Sequence, residues 1–341
     1  MKILITGMNK LQCTEDFYRD QQLKVVPSHY SLIRCLRDMG HEVDQRVVEI
    51  GEDLGVYDEI IVYIHNPAGF AAYVYNALYT ISRREDCILA FDDWQTDSIY
   101  DGLLALRDPE KLFRKYVLEG HAQIPENVKD WYLHFNSALD KIASKTNRML
   151  ISAFRGGDPT LLLDYPRDKI FTFNPNPYHL NRKPNNLVQE PKERIFNFAG
   201  LIQDKTKKWL KLQGVDRYDW PLMKYGSRKD GQDRVTEDVM VNIYASHWGI
   251  LMPGYFHAGS GWWRARPLQV ADAGSILIGD PKEMMIYYGD ERLASIKASD
   301  LIDMCDQELI DLATAQREAL YKLHPLNKEV EKSELDACLK Y

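Results

Sequence analysis

Short apolar runs alternate along this chain with segments whose apolar residues recur at helical spacing. The clearest helical segment places Leu32, Ile33, Leu36 and Met39 on one face and ends at Gly40. Buried parallel strands read as continuous apolar runs, and their alternation with helices is typical of a doubly wound α/β sheet. The predicted strands of the first half are KILIT, HEVDQRVVEI, YDEIIVYIHN, CILAFDDW, NRMLISAF and KIFTFNPNP.

A connector rich in proline and asparagine, NPNPYHLNRKPNNLVQEPKER, separates this half from a second series of the same kind. Proline removes backbone donors and breaks helices, so the connector predicts a domain boundary. The second series contains the predicted strands IFNFAGL, PLMKYG, WGILMPGY and SILIGD, with the helix KTKKWLKLQG after the first of them. We therefore predict an α/β protein with two Rossmann-like, doubly wound domains facing across a cleft. The predicted divisions are a first domain over 1–180, a linker over 181–192, a second domain over 193–310 and a C-terminal helix over 311–341 that packs back.

The length of 341 residues fits two domains, and 45% hydrophobic with 27% charged residues is ordinary for a globular protein. The net charge of −7 means that any contact with phosphates must come from a local basic face. Five cysteines without close pairing predict neither a zinc site nor a disulfide framework, and favour a reducing cytoplasm. We expect no signal peptide and no membrane span, because no apolar run is long enough.

Two adjacent carboxylates, Asp92 and Asp93, follow the predicted strand CILAF. Ligands bind at the carboxyl ends of strands in open α/β sheets, and a partly desolvated carboxylate there can act as a general base. Neighbouring strand residues point to opposite faces, so at most one of the two aims at a given site. Two alternatives stay open: one Asp caps the following segment, or the pair holds a divalent metal for which no third ligand is evident.

The segment GSGWWRARPLQVADAGSILIGD combines glycines, two arginines and a helix that leads into a strand. Arg264 and Arg266, near the start of the helix, suit an anionic ligand because guanidinium groups bind phosphate oxygens and helix N-termini are positive. Gln269, one turn after Arg266, is placed to hydrogen-bond a ribose from the same face. The alternative is that the arginines are solvated surface charges.

The segment FAGLIQDKTKKW is a second candidate phosphate site. Gly200 ends a predicted strand there, and Lys205, Lys207 and Lys208 follow it. The alternative is a basic, solvated helix face. A phosphate-bearing ligand on the second half and a carboxylate base on the first half together suit a nucleotide-sugar glycosyltransferase of the two-Rossmann, or GT-B, architecture.

Several common enzyme classes are excluded by their missing motifs. The chain has no GxGxxG, Walker, HExxH or GxSxG pattern. His29, His65 and His257 show no spacing motif, and we interpret each as structural rather than catalytic.

The ordered series of segments resembles the DNA β-glucosyltransferase family of T-even phages over most of residues 1–300. The stretch KVVPSHYSLIRCLRDMGHEVD is similar to a family loop Lys-x-Val-Pro-Ser, the helix after it, and Met-Gly-x-x-Val-Asp. AFDDW is similar to the strand end that carries the family's base, and Asp93 falls on that position. In RPLQVADAGSILIGD, Arg266 takes the place of the diphosphate-binding Arg, and Gln269 replaces the ribose-binding Glu.

Further donor contacts are implied by the resemblance. Gln203 and Lys207 stand where the family has two arginines after its Gly-rich turn, here at Gly200. The segment DRVTEDVMVNIYAS resembles the uracil-binding loop, which would place the backbone of Val235 against the base.

The loop that contains Val26 and Ser28 would line the floor of the cleft beneath the donor. Tyr30 replaces a family Glu near the sugar and would shape the sugar pocket. Because that carboxylate is missing, glucose and a pentose such as arabinose are both candidate sugars.

The resemblance implies an inverting transfer of this sugar from UDP-glucose or UDP-arabinose to 5-hydroxymethylcytosine in duplex DNA, in the cytoplasm of a phage's bacterial host. Asp93 would take the hydroxymethyl proton, and basic groups would stabilise the departing UDP. Residues 1–180 would bind the DNA and 193–310 the donor. Mg2+ is not predicted to be essential, although its participation stays open. We expect a monomer whose partners are duplex DNA and the UDP-sugar, with no membrane contact.

The predicted DNA contacts lie in loops of the first domain that carry polar and basic residues. Such side chains meet phosphates of a duplex whose target base has left the stack. These residues are Asn66, Arg107, Lys111, Arg114 and Lys115.

Two rival functions remain at this stage. One is a GT-B glycosyltransferase that acts on a lipid, protein or small-molecule acceptor, and the net charge of −7 favours it over a duplex binder. The other is a binding module for nucleotide sugars or nucleic acid without catalysis. The sequence also leaves open whether the acceptor base is cytosine or uracil and whether it already carries a sugar.

Overall fold

The computed structural model describes residues 1–7, 28–48, 51–64, 71–91, 128–155, 157–158, 165–178, 192–199, 204–215, 219–225, 237–253, 264 and 266–341. All ten predicted strands are present, and they form two parallel sheets. The first sheet has six strands in the order β2-β1-β3-β4-β5-β6. Its strands are β1 (Lys2–Thr6), β2 (Glu42–Gln45), β3 (Glu59–Tyr63), β4 (Ile88–Phe91), β5 (Arg148–Ser152) and β6 (Ile170–Phe173).

The second sheet has four parallel strands in the order β10-β9-β7-β8. Of its two central strands, β9 is buried along its whole length and β7 from Phe196 to Ala199, because helices cover both faces. The strands are β7 (Glu193–Ala199), β8 (Leu222–Tyr225), β9 (His247–Met252) and β10 (Ile276–Gly279).

Helices cover both faces of the first sheet. On one face, α1 (Ser28–Asp38) buries Leu32 and Leu36 against Ile3 of β1, as its apolar spacing predicts. On the other face lie α2 (Ala71–Arg83) and α3 (Val128–Ala143). Each fully buried aliphatic side chain in these layers contributes roughly 1.5–3 kcal/mol.

The second sheet is covered in the same way. The helices after its strands are α4 (Asp204–Gln213), α5 (Glu237–Ser246), α6 (Arg266–Asp272), α7 (Pro281–Tyr288), α8 (Glu291–Ala294), α9 (Ala298–Ile302) and α10 (Asp306–Leu323). The buried ammonium of Lys192 helps to fix this half, because it donates to the carbonyl oxygens of Ala245 (2.5 Å) and Ala273 (2.7 Å), at the C-terminal ends of α5 and α6.

The final helix, α11 (Lys328–Lys340), returns to the first sheet. Its residues Leu335, Cys338 and Leu339 are buried in the same apolar layer as α1. The segment 311–341, which the sequence predicts as one helix, is therefore the end of α10 on the second sheet followed by α11 on the first. Of the predicted linker 181–192, only Lys192 lies within the described residues.

Two segments differ from the sequence prediction. The predicted strand HEVDQRVVEI is shorter in the structure and ends at Gln45. The backbone N–H of the next residue, Arg46, still donates to the Ile5 carbonyl oxygen, and its side chain pairs with Glu52 and with the Tyr57 hydroxyl. The part of the predicted uracil-binding loop that is described, Glu237–Ser246, is helical. No helix in the described ranges has both the length and the apolar character needed to cross a membrane.

Candidate active site

Each sheet has one point where the strand order reverses, and the carboxyl ends of the strands there form a crevice. In the second sheet the chain runs from β7 to β8 on one side and then to β9 on the other. Ligands of open α/β sheets bind at such switch points. The switch point of the second sheet therefore lies at the carboxyl ends of β7 and β9.

Arg266 marks this switch point. It is the first residue of α6, and its Nη2 donates to the carbonyl oxygen of Ala199, the last residue of β7, at 2.5 Å. Pro267 follows at the first turn, where a missing N–H costs nothing. The guanidinium is half-buried beside the strand end and still has further N–H donors for a ligand.

Gln269 is half-buried on the same helix, three residues after Arg266. Side chains at this spacing are neighbours on a helix surface. The structure thus places Arg266 and Gln269 three residues apart on one helix, as the sequence predicts.

Arg264 has a different environment from Arg266. Its Nη1 lies 3.5 Å from Oε1 of Glu283 in α7, and only 11% of the Arg264 side chain is exposed. The Tyr287 hydroxyl donates to the same Oε1 at 2.8 Å. Burial raises the pKa of Glu283, and the Arg264 cation opposes that rise. The solvated surface charge considered for Arg264 is excluded by this burial.

Glu283 and Tyr287 are polar residues of this region that the sequence does not single out. Glu283 lies in the first turn of α7, where an acidic residue is expected to favour the helix N-terminus from a solvated position. No pattern in the sequence shows that the carboxylate turns inward. The Arg264 partner appears only in the folded structure.

Lys207 lies in the first turn of α4, and its ammonium is 3.5 Å from the Asp204 carboxylate with 66% of the side chain exposed. This position one turn into the helix after β7 leaves Lys207 on an accessible surface. Of the other residues predicted in this half, Lys208 is exposed on α4, the side chain of Lys205 is not described, and Gly200, Gln203 and Val235 lie outside the described residues.

The switch point of the first sheet lies between β1 and β3. Gly7 directly follows β1 there with a φ of +89°, and a Cβ at this position would lie 2.2 Å from the carbonyl oxygen of Tyr63. The segment that follows Gly7 carries Val26, and α1 begins after it at Ser28, with Tyr30 half-buried in its first turn. Of these, Val26 lies outside the described residues.

The predicted catalytic base also lies beyond the described ranges. β4 ends at Phe91, so Asp92 and Asp93 directly follow the carboxyl end of a central strand, as the sequence predicts, but their own placement is not described. The same holds for the predicted DNA contacts Asn66, Arg107, Lys111, Arg114 and Lys115. Within the described part of the chain, no group of His, Cys, Asp or Glu side chains could hold a metal ion.

The two sheets and their strand orders place the chain in the class of GT-B folds. It has a full-length structural match to T4 phage β-glucosyltransferase, with 100% of both chains covered in each comparison. A variant of the T4 phage enzyme in complex with UDP-glucose matches with a TM-score of 0.62 at 12% identity. A structure of the T4 phage enzyme that addresses substrate binding matches with 0.59 at 13% identity, and its complex with UDP and Mn2+ with 0.58 at 13% identity.

The predicted GT-B fold is thus confirmed, and the resemblance to the T-even phage enzyme is confirmed at the level of the whole fold. The sequence itself matches no protein-family profile and no curated protein.

Proposed function

We propose that this protein is a glycosyltransferase that uses a UDP-sugar donor. The observation that carries the proposal is the position of Arg266 at the switch point of the second sheet. A guanidinium there suits the diphosphate of a nucleotide sugar, because it combines a permanent charge with a fork of donors. The fold supports this assignment, since T4 phage β-glucosyltransferase binds UDP-glucose.

The donor would lie along the carboxyl edge of the second sheet. Arg266 and Lys207 would neutralise the diphosphate, and Gln269 would hydrogen-bond the ribose hydroxyls. The remaining donor contacts are assigned from the sequence resemblance: Val26, Ser28, Tyr30, Gly200, Gln203 and Val235. Tyr30 in place of a carboxylate near the sugar leaves glucose and a pentose such as arabinose as the candidates to test.

For the acceptor we propose 5-hydroxymethylcytosine in duplex DNA. The full-length structural likeness to a DNA-modifying β-glucosyltransferase supports this choice. The predicted contacts with DNA are Asn66, Arg107, Lys111, Arg114 and Lys115. The target base would have to leave the helical stack, because a base inside a duplex cannot reach a crevice at a sheet edge.

The proposed chemistry is a single displacement with inversion. Asp93 accepts the proton of the hydroxymethyl group while its oxygen forms a bond to the anomeric carbon. The bond from that carbon to the UDP oxygen breaks, and its electron pair leaves with UDP. Arg266 stabilises the charge that develops on the diphosphate, which is where a preorganised cation lowers the barrier most.

The alternative is a GT-B glycosyltransferase with a non-DNA acceptor. The net charge of −7 favours this alternative, because a duplex repels a protein of the same overall sign. The two functions share the donor site and differ only in the acceptor.

Incubation of the purified protein with duplex DNA containing 5-hydroxymethylcytosine tests the proposal. UDP-glucose and UDP-arabinose are supplied in separate reactions. The DNA is then digested to nucleosides, whose masses are measured by mass spectrometry. A matched duplex with unmodified cytosine is the control. We expect a mass gain of one hexose or one pentose on the hydroxymethylated base alone.

The negative outcomes separate the two parts of the proposal. Binding of UDP without any mass gain would move the assignment to a non-DNA acceptor. Absence of UDP binding, measured by calorimetry, would overturn the donor assignment itself.

A further inference from the structure

A buried carboxylate lies directly behind the candidate donor site. Glu283 is only 3% exposed, and it lies in the helix that follows β10 at the carboxyl edge of the second sheet. A carboxylate in such a place is stable only when it is paired and hydrogen-bonded. Arg264 Nη1 at 3.5 Å and the Tyr287 hydroxyl at 2.8 Å meet these two requirements.

The pair acts on the segment that enters α6. Arg264 stands two residues before Arg266, whose guanidinium reaches the end of β7. Both arginine cations lower the pKa of Glu283, so Arg266 also lies within electrostatic range of this carboxylate. Fixing Arg264 therefore restricts where the backbone places Arg266.

Glu283 is itself held in place by Tyr287. The Tyr287 side chain is fully buried, and its ring meets the ring of Phe154 edge-on with 4.9 Å between centroids. Phe154 follows β5 of the first sheet but lies in the apolar core beside the second sheet. The support of the arginine segment thus includes a side chain from the first half of the chain.

We propose that Glu283 is a positioning residue for donor binding, which holds Arg264 and through it the segment that carries Arg266. Glu283 does not touch the donor in this proposal. The inference rests on the proposed function, because it assigns a role at the UDP-sugar site. It predicts that loss of the carboxylate weakens donor binding although the ligand contacts themselves are intact.

The test compares UDP affinity by calorimetry in the unchanged protein and in Glu283→Gln, Arg264→Gln and the double variant. Glu283→Gln keeps an acceptor for Tyr287 and removes the charge. We expect about a tenfold loss of UDP affinity, the scale of one charge-assisted hydrogen bond. The KM for the UDP-sugar should rise by a similar factor while kcat changes less. Glu291→Gln, an exposed glutamate in α8, is the matched control and should leave affinity unchanged.

The double variant shows whether Glu283 affects UDP binding through Arg264 or independently of it. If Glu283 acts through Arg264, the double variant loses no more affinity than Arg264→Gln alone. The proposal would be overturned if the fold-losses of UDP affinity in the two single variants multiply in the double variant. It would also be overturned by a folded Glu283→Gln protein that binds UDP as tightly as the unchanged one.

A milder variant covers the case in which Glu283→Gln does not fold. Tyr287→Phe removes only the hydroxyl that orients the carboxylate, and we expect about a threefold loss of UDP affinity. An unchanged affinity in that variant would count against the proposal. If the unchanged protein does not bind UDP at all, the donor assignment fails and this inference fails with it, which calorimetry on that protein alone reveals.

Discussion

Arg155 and Glu331 form an ion pair with 2.7 Å between Nη2 and Oε1, which ties the last helix of the chain to the end of β5. The other carboxylate oxygen of Glu331 accepts the backbone N–H of Asn174, just after β6, at 2.9 Å. The Glu331 side chain is 2% exposed and that of Arg155 is 35% exposed. One buried carboxylate therefore fixes α11 to the ends of two strands.

Substitution of Glu331 should destabilise the protein in a way that separates these two contacts. We expect Glu331→Ala to lower the free energy of unfolding by about 2–3 kcal/mol, because the buried Asn174 N–H loses its acceptor. Glu331→Gln keeps an acceptor, and burial already raises the pKa of Glu331, so this variant should lose only about 1 kcal/mol or less. Urea denaturation measures both values.

Glu334→Ala, on the exposed side of the same helix, is the matched control and should stay within about 0.5 kcal/mol of the unchanged protein. Equal losses in Glu331→Ala and Glu331→Gln would show that the Asn174 contact contributes nothing.

The glycine directly after β1 should tolerate no side chain. Gly7 and Gly40 both have positive φ, +89° and +84°, but a Cβ at Gly7 would lie 2.2 Å from the Tyr63 carbonyl oxygen, whereas a Cβ at Gly40 has nothing within 4 Å. We expect Gly40→Ala to cost about 1–2 kcal/mol, the strain of the left-handed conformation. Gly7→Ala adds a backbone clash and should cost about 3 kcal/mol or more.

Thermal and urea unfolding of the two glycine variants measure this difference. The conformational strain is common to both, so the excess in Gly7→Ala reports the close approach of β1 and β3 alone. Equal losses would mean that the two strand ends separate without cost.

His324 should make stability fall as the pH drops below about 6.5. Its Nε2 donates to the carbonyl oxygen of Ile286 at 2.7 Å, and its ring meets Phe154 edge-on with 5.0 Å between centroids. Burial lowers the pKa of His324 below its usual value of 6.5. The hydrogen bond to Ile286 opposes this shift, and the nearby Arg155 cation adds to it. The unfolded chain then binds the proton more readily than the folded chain.

The sign of the effect follows from this difference in proton binding. The contribution of a neutral, buried His324 is fully present above about pH 6.5 and is lost as the pH falls through the lowered pKa of the folded state. We expect the stability of the unchanged protein to drop between pH 7.5 and 5.5, and that of His324→Gln to drop less. His41 and His247 also have lowered pKa values and add slope of the same sign, whereas the raised pKa values of Glu59, Glu283 and Glu331 add slope of the opposite sign. These contributions are common to both proteins. Parallel profiles for the two proteins would contradict this role.

Much of the fold could be predicted because buried parallel strands leave a local signature. Eight of the ten strands lie within the segments that the sequence predicts, β7 and β9 begin two and one residues earlier, and the helix at Ser28–Asp38 follows from its spacing of leucines. Strand boundaries are less well predicted, because they depend on contacts outside the local pattern. β2 ends at Gln45, and the side chain of the next residue, Arg46, pairs with Glu52, six residues further along the chain.

The site is harder to predict than the fold, because its key relations are between side chains distant in sequence. The spacing of Arg266 and Gln269 on one helix face is local, and the sequence predicts it correctly. The partner of Arg266 is Ala199, which lies 67 residues upstream. The partner of Arg264 is Glu283, which lies in a separate helix. No periodicity encodes such contacts, so only the folded chain reveals them.

The adjacent carboxylates after β4 give the sharpest test of the proposed chemistry. Asp93→Asn removes the proposed base and should lower the rate of sugar transfer by about a hundred- to ten-thousandfold, while UDP affinity stays unchanged. Asp92→Asn is the matched control, because it removes the neighbouring carboxylate, which the sequence resemblance does not assign as the base. Mass spectrometry of the digested DNA measures transfer, and calorimetry measures UDP binding. Full activity in Asp93→Asn together with loss of activity in Asp92→Asn would reassign the base to the neighbouring residue. Full activity in both variants would remove this strand end from the mechanism.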